Sequence, residues 1–293
     1  MRAIFACAVI AATAGHANAK TFDEMFPGHK GYEYAEVNEA LRSFDYQQGT
    51  VLLPGGQARL EVPEGYYYLF PQDANVVLTF LWGNPEAETL GMVFPAGMTP
   101  WDDEVWGADI NFDAIGYVSD DDAEDYDYSS LMREMQADAR VASAQRVADG
   151  YDTLELLGWA EPPRYDKASR KLHWAMELKF GGADANSLNY SLRALGREGV
   201  MTVNFIAGMD QLAAIKTALP DVARMVTFVD GKTYADFDPS VDQVAAVGVA
   251  GLIAGKVLAS KAGFLAVGLL FLKKFGILLL LPLVWLKNAF RRS

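Results

Sequence analysis

Carboxylates are the residues of this chain best supplied for chemistry, and three groupings of them stand out. The densest is Gly116-Tyr-Val-Ser-Asp120-Asp121-Asp122-Ala-Glu-Asp125-Tyr-Asp127. Oxygen-rich runs of this kind can ligate Ca²⁺, which makes Asp120, Asp121, Asp122, Asp125 and Asp127 the candidate cation ligands. The alternating Asp pattern with Gly at the sixth place that defines a calcium loop is missing, however. Anions ahead of a helix also favour its N-terminus, so a capped, solvated loop is the default reading of the same residues. The second grouping sets Trp101 and Trp106 beside Asp102, Asp103, Glu104 and Asp109. Stacking faces next to carboxylates are what a sugar cleft uses, although Trp at the edge of a core beside an acidic loop has the same look. The third is the pair Asp236 and Asp238. Two carboxyls about 5 to 10 Å apart could carry glycan hydrolysis.

Other catalytic inventories are short. The chain has three His and one Cys. Cys7 and His16 fall in the first nineteen residues, which leaves His29 and His173 beyond them. Cys-His catalysis and a multi-His metal centre therefore lack their residues in a chain that begins at Lys20. The Gly-rich Pro54-Gly55-Gly56 lacks the following Lys-Ser/Thr pair of a phosphate loop and reads as a hairpin turn. The expected cofactor set is empty.

These residues must be held by a fold, and the patterning predicts an α+β domain: an antiparallel sheet with a few segregated helices, followed by a C-terminal transmembrane helix. Hairpin chemistry flanks Pro54-Gly55-Gly56. Gln72 to Trp82 reads as a short apolar helix, 91–118 as short strands, and Ser130 to Ala148 as a helix with Leu131, Met135 and Ala139 at helical spacing. Lys171 to Phe180 alternates, with Leu172, Trp174, Met176, Leu178 and Phe180 on one face. Leu188–Leu195 and Val200–Ile206 pair across Gly196-Arg-Glu-Gly199, which predicts a half-buried antiparallel sheet. Residues 209–226 suggest a helix broken near Pro220, and Gly231 to Asp238 a polar stem.

Charge and hydropathy divide the chain. All 38 acidic residues lie within 20–242, although the whole chain carries a formal charge of only −13. Such an acidic surface repels phosphates, so nucleic acid is not an expected partner. After residue 242 there is no Asp or Glu, and basic residues punctuate long apolar runs. A bilayer core takes about 20 apolar residues as a helix. Residues 264–286, from Phe264 to Leu272 and from Phe275 to Leu286, reach that length across Lys273 and Lys274. Their Leu, Ile, Phe and Val contribute roughly 5 to 10 kcal/mol against about 5 to 7 for the two lysines, so the crossing is marginal and still favourable. A rival crossing at 244–272 leaves Phe275 to Leu286 unexplained. Gly248, Gly251 and Gly255 share one helical face in 243–263. That segment reads as an interfacial juxtamembrane helix, a face for self-association, or one arm of a hairpin.

At the other end, Arg2, the apolar run Ala3–Ala14 and Ala17-Asn18-Ala19 form the pattern of a secretory signal peptide over 1–19. A cleaved leader puts 20–242 outside the cytoplasmic membrane. Lys287, Arg291 and Arg292 of the basic tail 287–293 then stay inside, in keeping with the positive-inside rule. The expected location is the bacterial inner membrane, with the acidic domain in the periplasm and with lipid bilayer and an envelope protein as partners.

Several short motifs occur together here: Gly116-Tyr-Val-Ser-Asp-Asp-Asp122, Gly158-Trp159, Pro163-Arg-Tyr-Asp166, Leu172-His-Trp174, Asn189-Tyr190, Leu195-Gly-Arg-Glu-Gly199 and Gly231-Lys-Thr-Tyr-Ala-Asp-Phe-Asp238, followed by Val244 to Gly255. In this order they resemble a family of uncharacterized bacterial membrane-anchored proteins built on a domain of unknown function. The resemblance implies a cleaved signal, an exported domain and a C-terminal anchor, and supplies no catalytic residues. Two readings result: a non-catalytic envelope protein that presents an acidic domain to a partner, and a carboxylate-dependent envelope glycan hydrolase.

Overall fold

A computed structural model describes residues 18–84, 87–123, 127–148 and 152–254. In chain order the elements are β1 (Asn18–Lys20), α1 (Phe22–Met25), α2 (Ala35–Ser43), β2 (Tyr46–Leu52), β3 (Ala58–Val62), β4 (Tyr66–Leu69) and α3 (Pro71–Val76), the last running into a π-helical turn Val77–Leu81. β5 (Gly91–Pro95), β6 (Gly107–Asp113), α4 (Tyr128–Ala148), β7 (Leu154–Asp166) and β8 (Lys171–Phe180) follow. β9 (Ser187–Leu195), β10 (Val200–Gly208), α5 (Leu212–Met225), β11 (Val226–Phe228) and α6 (Val249–Ile253) complete the set.

The strands form one sheet in the order β11-β3-β2-β4-β5-β6-β10-β9-β8-β7, with β1 paired to β2 off this path. Its ladders are antiparallel throughout. Local chemistry accounts for much of it. Gly55 and Gly56 take positive φ in the β2–β3 turn, where a side chain would be strained. Pro71 opens α3, where its missing N–H costs no helical bond. Asp127 Oδ1 accepts the Ser129 and Ser130 backbone N–H groups at 3.0 and 3.2 Å and caps α4.

Helices lie on both faces. Helix α5 covers one, burying Ile215, Ala218, Val222 and Met225 against Leu188, Tyr190, Leu192, Met201, Val203 and Phe205. Helices α1 to α4 and α6 share the other, in a core that includes Leu41, Leu78, Trp82, Leu131, Met135, Trp174 and Ile253. This corrects the expectation of a half-buried sheet: every residue of β9, and every residue of β10 but the last, is buried. Helix α5 also runs through Pro220 without a break. Losing an N–H and clashing with the preceding turn costs about 3 kcal/mol. Ile215, Val222 and Met225 of the same helix are buried, and fully burying a Val, Ile or Met side chain returns about 1.5 to 3 kcal/mol.

Among the described residues no helix is long and apolar enough to cross a membrane. The expected crossing at Phe264–Leu286, the basic tail and most of the leader lie outside the described residues. Asn18, Ala19 and Lys20 pair with Gln48, Gln47 and Tyr46. A cut after Ala19 keeps only Lys20 of that strand.

Candidate functional site

The acidic run is organised around a junction with the C-terminal segment. Asp120 forms an ion pair with Arg170 and accepts the hydroxyls of Tyr165 at 2.8 Å and Tyr234 at 3.0 Å. Burial works against its charge, yet the two tyrosine hydroxyls and the guanidinium outweigh that cost and hold the carboxyl below the usual range. Arg170 in turn lies 4.6 Å from the Tyr234 ring centroid. Tyr117 stacks on Phe237 at 3.8 Å and leans on Tyr234 at 4.5 Å.

Two residues on from Asp120, Asp122 Oδ1 accepts the Val249 N–H at 3.0 Å, at the start of α6. A Cβ on Gly248 would collide with that carboxylate, so the glycine is what lets the helix start come so close. Backbone bonds tie the same segment down, from Tyr117 N–H to Gln243 O and from Ala245 N–H to Tyr117 O, each 2.8 Å. The preceding stretch is clamped as well. Arg197, in the β9–β10 turn, grips Asp242 through Nε at 2.8 Å and Nη2 at 3.1 Å, and Lys232 meets Glu198 at 2.7 Å.

The geometry gives three of the segments singled out by sequence a definite place. In the polar stem Gly231 to Asp238, Thr233 and Asp236 cap a 3-10 turn, and Tyr234 within it is buried. The described part of the Gly-rich segment, 243–254, is docked, with Val249, Ala250, Leu252 and Ile253 buried in the core. Gly248 faces Asp122 and Gly251 faces Val247 of this same chain, while Gly255 lies outside the described residues. The described carboxylates of the acidic run have partners within the protein. Asp120 and Asp122 are spent as above, Asp121 accepts the Ser119 hydroxyl at 2.7 Å, and Asp127 caps α4; Asp125 lies outside the described residues. Among those residues no three His, Cys, Asp or Glu side chains are grouped to hold a metal.

The Trp-carboxylate grouping is dispersed. Trp106 is a core residue between Tyr66 and Phe205, and Trp101 packs edge-on to Tyr34. Asp102 fastens a loop, accepting the Tyr32 hydroxyl at 2.5 Å and the Thr99 N–H at 2.7 Å, while Asp103 and Glu104 are exposed. Asp236 accepts the Thr233 N–H and hydroxyl, and Asp238 accepts those of Ser240. His29 Nδ1 accepts the Gly31 N–H at 2.9 Å. His173 sits 2.9 Å from the Tyr190 hydroxyl, and burial lowers its imidazole pKa.

Asp109 belongs elsewhere, in an arrangement that residue-type counting missed. Strand alternation places Ser187, Asn189, Ser191 and Arg193 of β9, Thr202 and Asn204 of β10 and Asp109 of β6 on one face of the sheet, in register with one another. All seven are buried. Ser191 Oγ donates to Asn204 Oδ1 at 2.8 Å, Arg193 bonds Thr202, and Arg193 Nη1 lies 3.7 Å from Asp113. Asp109 lies 2.5 Å from Thr89 Oγ1 and accepts Asn111 Nδ2 at 2.6 Å. Burial raises its pKa to about 7, against the opposing pull of those two bonds. The signal was present in Ser187-Leu-Asn-Tyr-Ser-Leu-Arg-Ala-Leu195 as a polar face, without any sign that the face would be covered.

Residues 45–284 match the family described as Protein of unknown function (DUF2167). No curated protein matches the chain. Among solved structures, the solution structure of cyanobacterial PsbP (CyanoP) from Synechocystis sp. PCC 6803 is similar at 11% identity, over 59% of this chain and 87% of that one, with a TM-score of 0.31.

Proposed function

The chain belongs to this family of proteins of unknown function, and from that premise we propose that it is a membrane-anchored envelope protein that presents an acidic domain to a protein partner without catalysing a reaction. One observation carries the reading: Asp120 and Asp122, the carboxylates best placed by sequence to form a site, instead fasten the segment that leads to the apolar tail. Asp120–Tyr234, Arg197–Asp242 and Asp122–Val249 hold the stretch before the apolar tail against the domain, which supports a domain presented close to its anchor. The charge division supports the same arrangement. Every carboxylate side chain precedes residue 243 and the tail is apolar and basic, so the tail seeks lipid while the domain stays in water.

The proposal includes a cleaved leader over 1–19, a crossing at 264–286 and a cytoplasmic tail held by Lys287, Arg291 and Arg292. Alkaline carbonate extraction of membranes tests the anchoring. The full chain is expected to stay with the lipid pellet, and a chain ending at Ala254 to be released. Release of the full chain by carbonate would overturn the reading.

A further inference from the structure

We propose that the buried polar stripe on β8, β9 and β10 is a binding site for the oxyanion group of a small molecule, received by Arg193, Asn189 and Trp174. Three N–H donors in this stripe have no acceptor: Arg193 Nε, Asn189 Nδ2 and Trp174 Nε1. Their residues are 6%, 1% and 2% exposed, so bulk water does not serve them. A buried donor left unmade is costly, and native interiors hold few such groups.

Trp174 stands between the other two residues, which lie on either side of Ser191 and about 13 Å apart along β9. Trp174 pairs with Ser191 across β8 and β9, which puts Asn189 and Arg193 at its two diagonal positions, about 7 to 8 Å away by sheet geometry. The Arg193 guanidinium lies 5.5 Å from the Trp174 ring centroid. The fully buried side-chain atoms of these residues that have no partner are donors, with no acceptor among them. The stripe therefore asks for acceptors only, and a carboxylate or phosphate group supplies several at once to a cation and neutral N–H donors.

Arg193 is positioned for this by its other bonds. Its Nη1 is occupied by Thr202 and Asp113, and its Nε is a donor turned to other use. Leu172, Met176 and Ile206 border the stripe on the same face and are buried, so the group carrying the oxyanion meets an apolar surround. This site is independent of the anchoring read above.

The test is a titration of the full chain in non-ionic detergent with hexanoate and, separately, with inorganic phosphate. It is read by the ¹H–¹⁵N resonances of the Trp174 indole and the Arg193 Nε–H, and Trp174→Phe assigns the former. Saturable shifts of both resonances with either probe are expected; a response to hexanoate alone marks a carboxylate site, and one to phosphate alone a phosphate site. Asn189→Ala and Arg193→Lys, the second of which keeps the charge and removes the Nε donor, should each weaken the response about tenfold or more, the worth of one hydrogen bond to a charged group. If neither probe moves these resonances the proposal fails, and exchange cross-peaks to water would then show the donors held by internal water.

Discussion

Replacing Asp109 by Asn should remove a specific pH dependence of stability. An unfolded Asp titrates near 3.9, whereas burial raises the folded carboxyl to about 7, the hydrogen bonds with Thr89 and Asn111 opposing that rise only in part. The folded state therefore holds a proton that the unfolded chain has already released, and stability falls as pH rises between those two values. At about 1.4 kcal/mol per unit, some 1.5 kcal/mol has been lost by pH 5 and about 4 kcal/mol by pH 8, so the fall across pH 5 to 8 is about 2 to 3 kcal/mol. The amide fits the same network. Its oxygen can accept Asn111 Nδ2, now 2.6 Å from Asp109 Oδ2, and its nitrogen can donate to Thr89 Oγ1, which lies 2.5 Å from Oδ1 and 3.1 Å from the Gly91 carbonyl. Thermal unfolding followed by circular dichroism at pH 5, 6, 7 and 8 should show the variant gaining on the wild type as pH rises. The gain should reach about 5 to 10 °C, at about 2 to 4 °C per kcal/mol for a domain of this size. Parallel Tm profiles for the two proteins would refute the assignment of a proton to Asp109.

Asp120→Asn removes the charge facing Arg170 and weakens what Tyr165 and Tyr234 donate to; a loss of about 2 to 3 kcal/mol in unfolding free energy, measured by urea denaturation, is expected. Because the folded Asp120 pKa is depressed, its contribution is present above the unfolded value and lost as pH falls through the folded one, so the deficit of the variant should shrink on acidification below about pH 4. Asp122→Ala takes the acceptor from the Val249 N–H at the start of α6, at a cost of about 1 kcal/mol, and hydrogen exchange at Val249 and Leu252 should speed up while β9 and β10 stay protected. Lys273→Leu together with Lys274→Leu removes about 5 kcal/mol of burial cost from the proposed crossing, so retention in the membrane pellet under alkaline extraction should rise; unchanged or weaker retention would favour the rival crossing at 244–272.

Much of the sheet was legible because its cues are local. Pro54-Gly55-Gly56 marks the β2–β3 turn, alternation from Lys171 to Phe180 sorts β8 into two faces, and the 196–199 turn joins β9 to β10. Leu131, Met135 and Ala139 at helical spacing located α4. What covers a face is not local. Ser187, Asn189, Ser191 and Arg193 look like a solvent face by alternation, and only the third dimension buries them. The same limit explains Asp109, which sits near Trp106 in sequence and on the opposite side of the sheet in space. Small residues spaced along 248–255 signal that something approaches closely, without saying what. For Gly248 it is Asp122, and the acidic run read as a solvated loop is the other half of that contact. The unbroken α5 shows tertiary packing prevailing over a proline's local preference.

Cysteine labelling distinguishes an acidic domain outside the membrane with the C-terminus inside from every other topology. In a Cys7→Ser background, single cysteines are placed at the exposed Asp103 and at Arg292, and intact spheroplasts are treated with a membrane-impermeant maleimide. Asp103→Cys should be labelled at once and Arg292→Cys only after permeabilisation. Labelling of both in intact spheroplasts, or of neither, would contradict this topology.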